Sequence, residues 1–340
     1  MTYQPISNRI FSFIETKFFT SRKNLLDEIG KILNLQSASI YKIHGPSSLS
    51  LEEAEILCRH FRISLDEILG IGDDKIYFDF PALYGSVANE SDYLEPVKLD
   101  LEMIYRLDPL IYYATKELPI FYYLSSPNLV AFKFYVFNNF IWKAKSNDML
   151  KFNANHYLDN SEFRKLVDNV LELYSTLNSI EIWNTSVLDN TFNQLKYFLD
   201  AGLMEDSKQA IAICDDLDKL IDKIAEMIKS KNKSVLKKSK KDVGTFNLYN
   251  NEIAHTNNVI FVKSETRDAV YSTYDSPNFM RSISPALCEY TDKWFQKIIL
   301  NSVPITNGNL KDQSYFIHKL KEKLKRTRNS IQLSLQSIDE

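Results

Sequence analysis

Two capping boxes fourteen residues apart, Ser50-Leu51-Glu52-Glu53 and Ser64-Leu65-Asp66-Glu67, constrain the chain more tightly than any other feature. In each, the serine hydroxyl accepts the third amide of a new helix and the glutamate answers to the serine's own amide. Gly70 then closes the second of these helices. Upstream, Gly45-Pro46 stops a short segment, because proline has no amide to continue a helix and clashes with the preceding turn. Ile10, Phe11, Ile14 and Phe18 share one face of a piece running from 8 to 18. In the next piece Leu25, Ile29 and Leu33 recur every fourth residue; Ser21 can cap it, Asn34 suits its end, and Gly30 lets a second helix approach closely. A third piece, from about Gln36 to Ile43, has only Ile40 and Ile43 to bury. The expectation is five compact helices before residue 72.

Two adjacent helices joined by a short turn, the second short and polar on its outer face, are the sequence image of a helix-turn-helix. "IGKILNLQSASIYKIHG", residues 29–45, followed by "SLEEAEILCRHFRISLDEILG", residues 50–70, resembles the lambda-repressor-like, Cro/Xre-type helix-turn-helix family in its small residue at Gly30, its apolar frame and its closing serine-leucine-acidic helix. The resemblance implies that the second helix of the motif lies in the major groove of double-stranded DNA, with Gln36 at its start, Ser37, Ala38, Ser39, Tyr41 and Lys42 contacting the groove and His44 flanking it. It also implies that the entry to the preceding helix, with Arg22 and Lys23 nearby, holds the phosphate backbone through free amides. The sequence departs from the family at Ser37, often a glutamine there, and at His44-Gly45-Pro46, which replaces a common glutamate-arginine-glycine run.

Charge gives this segment little help. Arg9, Lys17, Arg22, Lys23, Lys31, Lys42, Arg59 and Arg62 are matched by Glu15, Asp27, Glu28, Glu52, Glu53, Glu55, Asp66 and Glu67. Non-specific affinity for DNA comes mostly from neutralised phosphates, so a neutral module depends on asymmetric placement of its cations or on dimerisation. Five of the acids fall in the last two helices, which in the family pack behind the reading helix.

From Ile71 to about Val97 the helical period lapses into Gly, Pro, Asn, Ser and Asp. The resulting division is a DNA-binding domain over 1–72, a linker over 73–97 and a larger domain over 98–340. In that domain residues 98–200 read as helices, with "FKFYVFNNFIW" dense enough in aromatics to be packed core. Residues 205–230 form a long helix with Ala210, Ile213, Leu217, Leu220, Ile224 and Met227 at seam spacing. Asp215, Asp216, Asp218 and Asp222 interleave with lysines and read as a solvated face. "KSKNKSVLKKSKK", residues 229–241, reads as a flexible basic loop, with contact to DNA phosphate or RNA as the alternative. "GTFNLYNNEIA", "NVIFVKS" and "AVYSTY" read as an antiparallel meander of about three strands, before helices return over 284–300 and 310–331; the last, ringed with lysines and arginines, could pair with a symmetry mate. The fold class expected is mostly α, α+β overall: a five-helix N-terminal domain and a larger helical domain with a small antiparallel β meander.

No G-x-S-x-G, H-E-x-x-H, C-x-x-C or Walker-type loop is present, and 8 glycines among 340 residues leave little for phosphate loops. His44, His60, His156, His255 and His318 are too scattered for metal ligands, and Cys58, Cys214 and Cys288 neither form a disulfide framework nor sit beside groups that lower a thiol pKa. No enzyme activity, catalytic residue, metal or cofactor is therefore expected. The first residues lack the apolar core of a signal peptide, and no apolar run reaches the roughly 20 residues of a membrane span, so a cytoplasmic location without membrane contact is expected. Together these readings describe a prokaryotic DNA-binding transcription regulator, homodimeric on two half-sites, whose larger domain dimerises or senses a ligand or protein signal. The alternative is a protein-interaction adaptor whose helix-turn-helix-like head does not bind DNA.

Overall fold

The computed structural model describes residues 5–18, 22–35, 49–70, 75–80, 87, 89–142, 151–236, 242–253 and 258–338. The chain divides into two compact units, Met1–Tyr77 and Phe78–Glu340.

In the first unit the described helices are α1 (Ile6–Phe18), α2 (Arg22–Ile32), α3 (Leu51–Phe61) and α4 (Leu65–Leu69). The expected reading helix, 36–43, lies outside the described residues. Ile10, Phe11, Ile14, Leu25, Ile29, Ala54, Leu57, Phe61, Ile63 and Ile68 form one buried cluster, so the three- and four-residue spacings converge on a common core. Both halves of the Ser50 capping box are made: Ser50 Oγ accepts from the Glu53 amide at 3.1 Å and the Ser50 amide donates to Glu53 Oε2 at 2.7 Å. Ser64 Oγ caps α4 by accepting from the Glu67 amide, and Gly70, with φ 65°, ends it. Asn34 ends α2 in the left-handed region, φ 51°, while the Leu35 amide reaches back to the Gly30 carbonyl at 2.9 Å. That pattern is a Schellman turn, and it is the turn that leads into residues 36–45.

The second unit is built on a seven-stranded mixed sheet, which replaces the expected small meander. Its strands are β1 (Leu110–Ala114), β2 (Asn178–Trp183), β3 (Phe246–Asn250), β4 (Val259–Lys263), β5 (Ala269–Asp275), β6 (Asn278–Ser282) and β7 (Val303–Pro304), in spatial order β6-β5-β4-β1-β2-β3-β7. β1, β2 and β3 run parallel; β4, β5 and β6 continue antiparallel from β1, and β7 closes against β3. An antiparallel meander therefore exists, but as β4-β5-β6, with β3 lying parallel to β2 at the far side of the sheet. β1 and β2 fall in the stretch read as helical. A strand buried on both faces, such as "LIYYA", carries no alternation to separate it from a helical turn.

Parallel neighbours need crossovers, and helices supply them. Between β1 and β2 run α6 (Ile120–Tyr123), α7 (Pro127–Phe137), α8 (Asn155–Leu158) and α9 (Ser161–Thr176); between β2 and β3 run α10 (Asp189–Asp200) and α11 (Lys208–Ser230). α5 (Glu90–Tyr105) begins inside the segment assigned above to the linker, capped by Asn89, and Asp79 bridges to Arg281 on β6. Ile111 and Tyr113 of β1 point into the main core with these helices. Tyr112 and Ala114 point the other way, against Cys288, Phe295 and Ile298 of α12 (Pro285–Leu300). α7 is buried at every residue from Leu129 to Phe137, Lys133 included, as expected of a helix apolar all round.

α13 (Leu310–Ile338) lays Phe316, Leu320, Leu324 and Ile331 into the same core and packs along α10 and α11. The long α11 is thus a bundle helix, as its wide stripe implies. Asp215, Asp218 and Asp222 keep their side chains about half exposed or more while pairing with α13, and of the four aspartates only Asp216 is buried. Lys321 of α13 pairs with Asp218 and Asp222 at 2.6 and 2.8 Å, and Arg328 with Asp215 at 2.7 Å. Asp216 is buried and accepts from Ser126 at 2.6 Å and Asn128 at 2.9 Å. The acids of one helix and the bases of the other fasten α13 down within the chain.

Candidate functional site

Of the residues assigned to DNA, Arg22 is the first of α2, and Lys23 follows it, exposed to solvent. Gln36, Ser37, Ala38, Ser39, Tyr41, Lys42 and His44 lie outside the described residues. Some cations of the unit serve the bundle itself. Arg9 donates to the Ile68 carbonyl at the end of α4, and Lys17, buried, reaches the Arg62 carbonyl at 3.4 Å. Arg59 pairs with Glu55 at 2.8 Å.

The second unit brings together residues that no motif marked. In open sheets with parallel strands, ligands collect in the crevice beyond the strands' carboxyl ends. Beyond β1 the chain continues through Thr115 and Glu117; the start of β4 brings Asn258 alongside, and the β5–β6 turn brings Ser276. Thr115 Oγ1 lies 2.6 Å from Asn258 Oδ1 and accepts the Glu117 amide at 3.1 Å. Asn190 Nδ2 donates to Glu117 Oε1, and Ser276 Oγ stands 3.5 Å from Oε2. Lys133 reaches the same place from α7. Its ammonium donates to Gln194 Oε1 at 2.9 Å and sits 4.7 Å above the ring of Tyr123, whose hydroxyl is 2.6 Å from Thr191 Oγ1. Burial lowers the Lys133 pKa to about 8 against the opposing charge of Glu117. A cationic amine so poised beside a carboxylate in a recess is a mark of a functional site.

These groups surround two small chambers. One, of about 20 Å³, is lined by Glu117, Lys133, Asn258 and Ser276. The other, of about 90 Å³, is lined by Leu101, Ile104, Ile111, Phe121 and Val262. Tyr93, Tyr113 and Phe279 line both. A larger trough of about 790 Å³ runs between α7 and α9; its Lys223 donates to the Ser125 carbonyl at 2.9 Å.

One strand away lies a second polar centre. Glu181, in the middle of β2, accepts from Tyr122 and Tyr174 hydroxyls at 2.8 and 2.7 Å, from Ser179 at 2.9 Å and from Trp183 Nε1 at 3.1 Å. Lys233 completes it, donating to the Leu177 carbonyl at 2.9 Å and lying 4.0 Å above the Tyr174 ring. Lys233 belongs to the run read as a flexible basic loop. The correction is physical: α11 ends with Lys231 in the left-handed region, φ 57°, and the turn drives Lys233 inward. Three of the four hydrogen bonds converge on Oε1 and one on Oε2, and together with Lys233 they tie the crossover to the sheet.

The signals for both centres were present but weak. A charged residue inside an otherwise apolar run, Lys133 in "LVAFKFYVF" and Glu181 in "SIEIW", is what a buried and partnered charge looks like in sequence. No three or more metal-ligating side chains cluster among the described residues, and no described helix is long and apolar enough to cross a membrane. Comparison with family models, curated proteins and solved structures finds no match to this chain.

Proposed function

We propose that the chain is a cytoplasmic DNA-binding transcription regulator of a prokaryote, with the first unit reading double-stranded DNA and the second dimerising and sensing a signal. The observation that carries this reading is the Schellman turn at Asn34. It ends α2 with Leu33 and Leu35 packed on the shared core, and directs the chain into residues 36–45, the segment that resembles a recognition helix. The groove contacts then fall to Gln36, Ser37, Ala38, Ser39, Tyr41, Lys42 and His44, with Arg22 and Lys23 on phosphate. One such motif reads few base pairs, so two copies on half-sites a helical turn apart supply affinity and specificity.

A protein-interaction adaptor is the second reading. It is favoured by the use of Arg9 and Lys17 inside the bundle, which leaves a unit of balanced charge with fewer cations to give to phosphates. Sedimentation of the full chain with and without a random-sequence duplex at low salt separates the two. The regulator sediments as a dimer and carries the duplex with it; an adaptor leaves the duplex free at every salt concentration.

A further inference from the structure

The two chambers share three walls, Tyr93, Tyr113 and Phe279, and two of these are tyrosines. Tyr93 and Tyr113 are 6% and 2% exposed, and neither hydroxyl hydrogen-bonds to a described residue. Buried tyrosine hydroxyls ordinarily find a partner. Their neighbours do: Tyr122 and Tyr174 bond to Glu181, Tyr123 to Thr191, and Tyr157 to Asn138. Tyr112, on the other face of the sheet, likewise makes no hydrogen bond among the described residues, and Tyr93 and Tyr113 are the tyrosines of this kind that line both chambers.

The chambers differ in kind. The larger is walled mostly by aliphatic and aromatic carbon, with Asp100 and Tyr271 also on its wall, and at about 90 Å³ it takes a compact aliphatic body of about four carbon atoms. The smaller, about 20 Å³, holds one water-sized polar group, with a cation and an anion on its wall. Lys133 and Glu117 balance each other. A ligand head with a net charge would enter a desolvated recess without a counter-charge, at heavy cost. A head that both accepts and donates matches Lys133 and the tyrosine hydroxyls on one side and Glu117 on the other.

We propose that the two chambers form one site for a small uncharged amphiphile, a branched aliphatic alcohol of about six heavy atoms, with its body among Leu101, Ile104, Ile111 and Val262 and its hydroxyl head between Tyr93, Tyr113, Lys133 and Glu117. The site deepens the regulator reading by giving the second unit a signal to bind. It does so at the junction of α5, β1 and the β5–β6 turn, which a ligand would draw together.

The test is isothermal titration of the full chain, without DNA, against 3-methylbutan-1-ol, with 3-methylbutanoate and 3-methylbutylammonium as charged counterparts of the same body. The expected result is saturable millimolar or tighter binding of the alcohol, at least about tenfold weaker binding of both ions, and about fivefold weakening by Tyr113→Phe, which deletes one hydroxyl without changing the cavity's shape. Val262→Phe, which fills the apolar chamber, abolishes binding; if that variant does not fold, Tyr113→Phe decides. Absence of saturable binding, equal binding of the ions, or an unchanged affinity in Tyr113→Phe overturns the proposal. Because no DNA is present, failure here leaves the DNA-reading proposal standing, and failure to select DNA leaves this one.

Discussion

Lys233 Nζ lies 4.0 Å from Glu181 Oε1, and neither side chain has any exposure to solvent. Such a pair is expensive to desolvate, and the four hydrogen bonds on the carboxylate are what make it tolerable. Removing one partner is therefore worse than removing both. Lys233→Met alone or Glu181→Gln alone is expected to cost about 3–5 kcal/mol, and the double variant less than the sum of the two. Urea unfolding of the four proteins measures the coupling; additive losses mean that the two groups do not interact.

Stability should rise with pH in the alkaline range. Burial lowers both Lys133 and Lys233 to about 8, from 10.5 for a free lysine. Between those values the unfolded chain holds more protons than the folded one, so raising the pH favours folding, by at most about 1.4 kcal/mol per pH unit for each lysine. Above about pH 10 the slope reverses, because burial raises the hydroxyls of Tyr113, Tyr122 and Tyr174 and the unfolded chain ionises first. Denaturant midpoints taken from pH 7 to 11 should peak near pH 10, and Lys133→Met should remove about half of the rise. A flat profile would mean that the lysines are not buried in their charged form.

Two glycines give a matched comparison of backbone space. A Cβ on Gly244 would overlap the Leu177 carbonyl group at the crossover into β2, where no flexible side chain can yield. At Gly202 the surroundings are open, and only its left-handed φ of 64° resists a side chain. Gly244→Ala is expected to cost about 3 kcal/mol or more, and Gly202→Ala about 1 kcal/mol. Thermal unfolding ranks the two, and equal losses would contradict the close approach at Leu177.

On α13 the apolar seam should outweigh the ion pairs. Lys321, Lys323 and Arg328 hold aspartates on α10 and α11, but every partner is partly exposed, and such pairs are typically worth less than about 1 kcal/mol. Leu320 and Leu324 are buried, and truncating either to alanine is expected to cost about 2–5 kcal/mol. Lys323→Ala should lose part of its effect at high salt and Leu320→Ala should not; a salt-insensitive Lys323→Ala would point to packing instead of charge.

The helical frame of the first unit was legible because its signals are local. A capping box, a glycine at a helix end and a four-residue apolar repeat act within one or two turns, and Ser50, Gly70, Ile10 and Ile29 all do what their spacing implies. The sheet was not legible, because its evidence is spread over distant segments. Tyr113 of β1 pairs with Glu181 of β2 across nearly seventy residues, and neither strand alternates against solvent. The same distance hid the chambers: Glu117, Lys133 and Asn258 follow one another at no motif spacing and meet only after β4 returns beside β1. The aspartates of α11 and the bases of α13 were each visible, and only the packing of the two helices shows that they are partners.

The most direct test of the regulator reading is selection from a random double-stranded DNA library by the full chain across a salt series, beside a variant with Ser37, Ser39, Tyr41 and Lys42 all changed to alanine. The predicted result is an enriched site of two inverted halves about one helical turn apart, bound less tightly as salt rises and lost in the variant. No enrichment at the lowest salt, or the same site enriched by the variant, would contradict it.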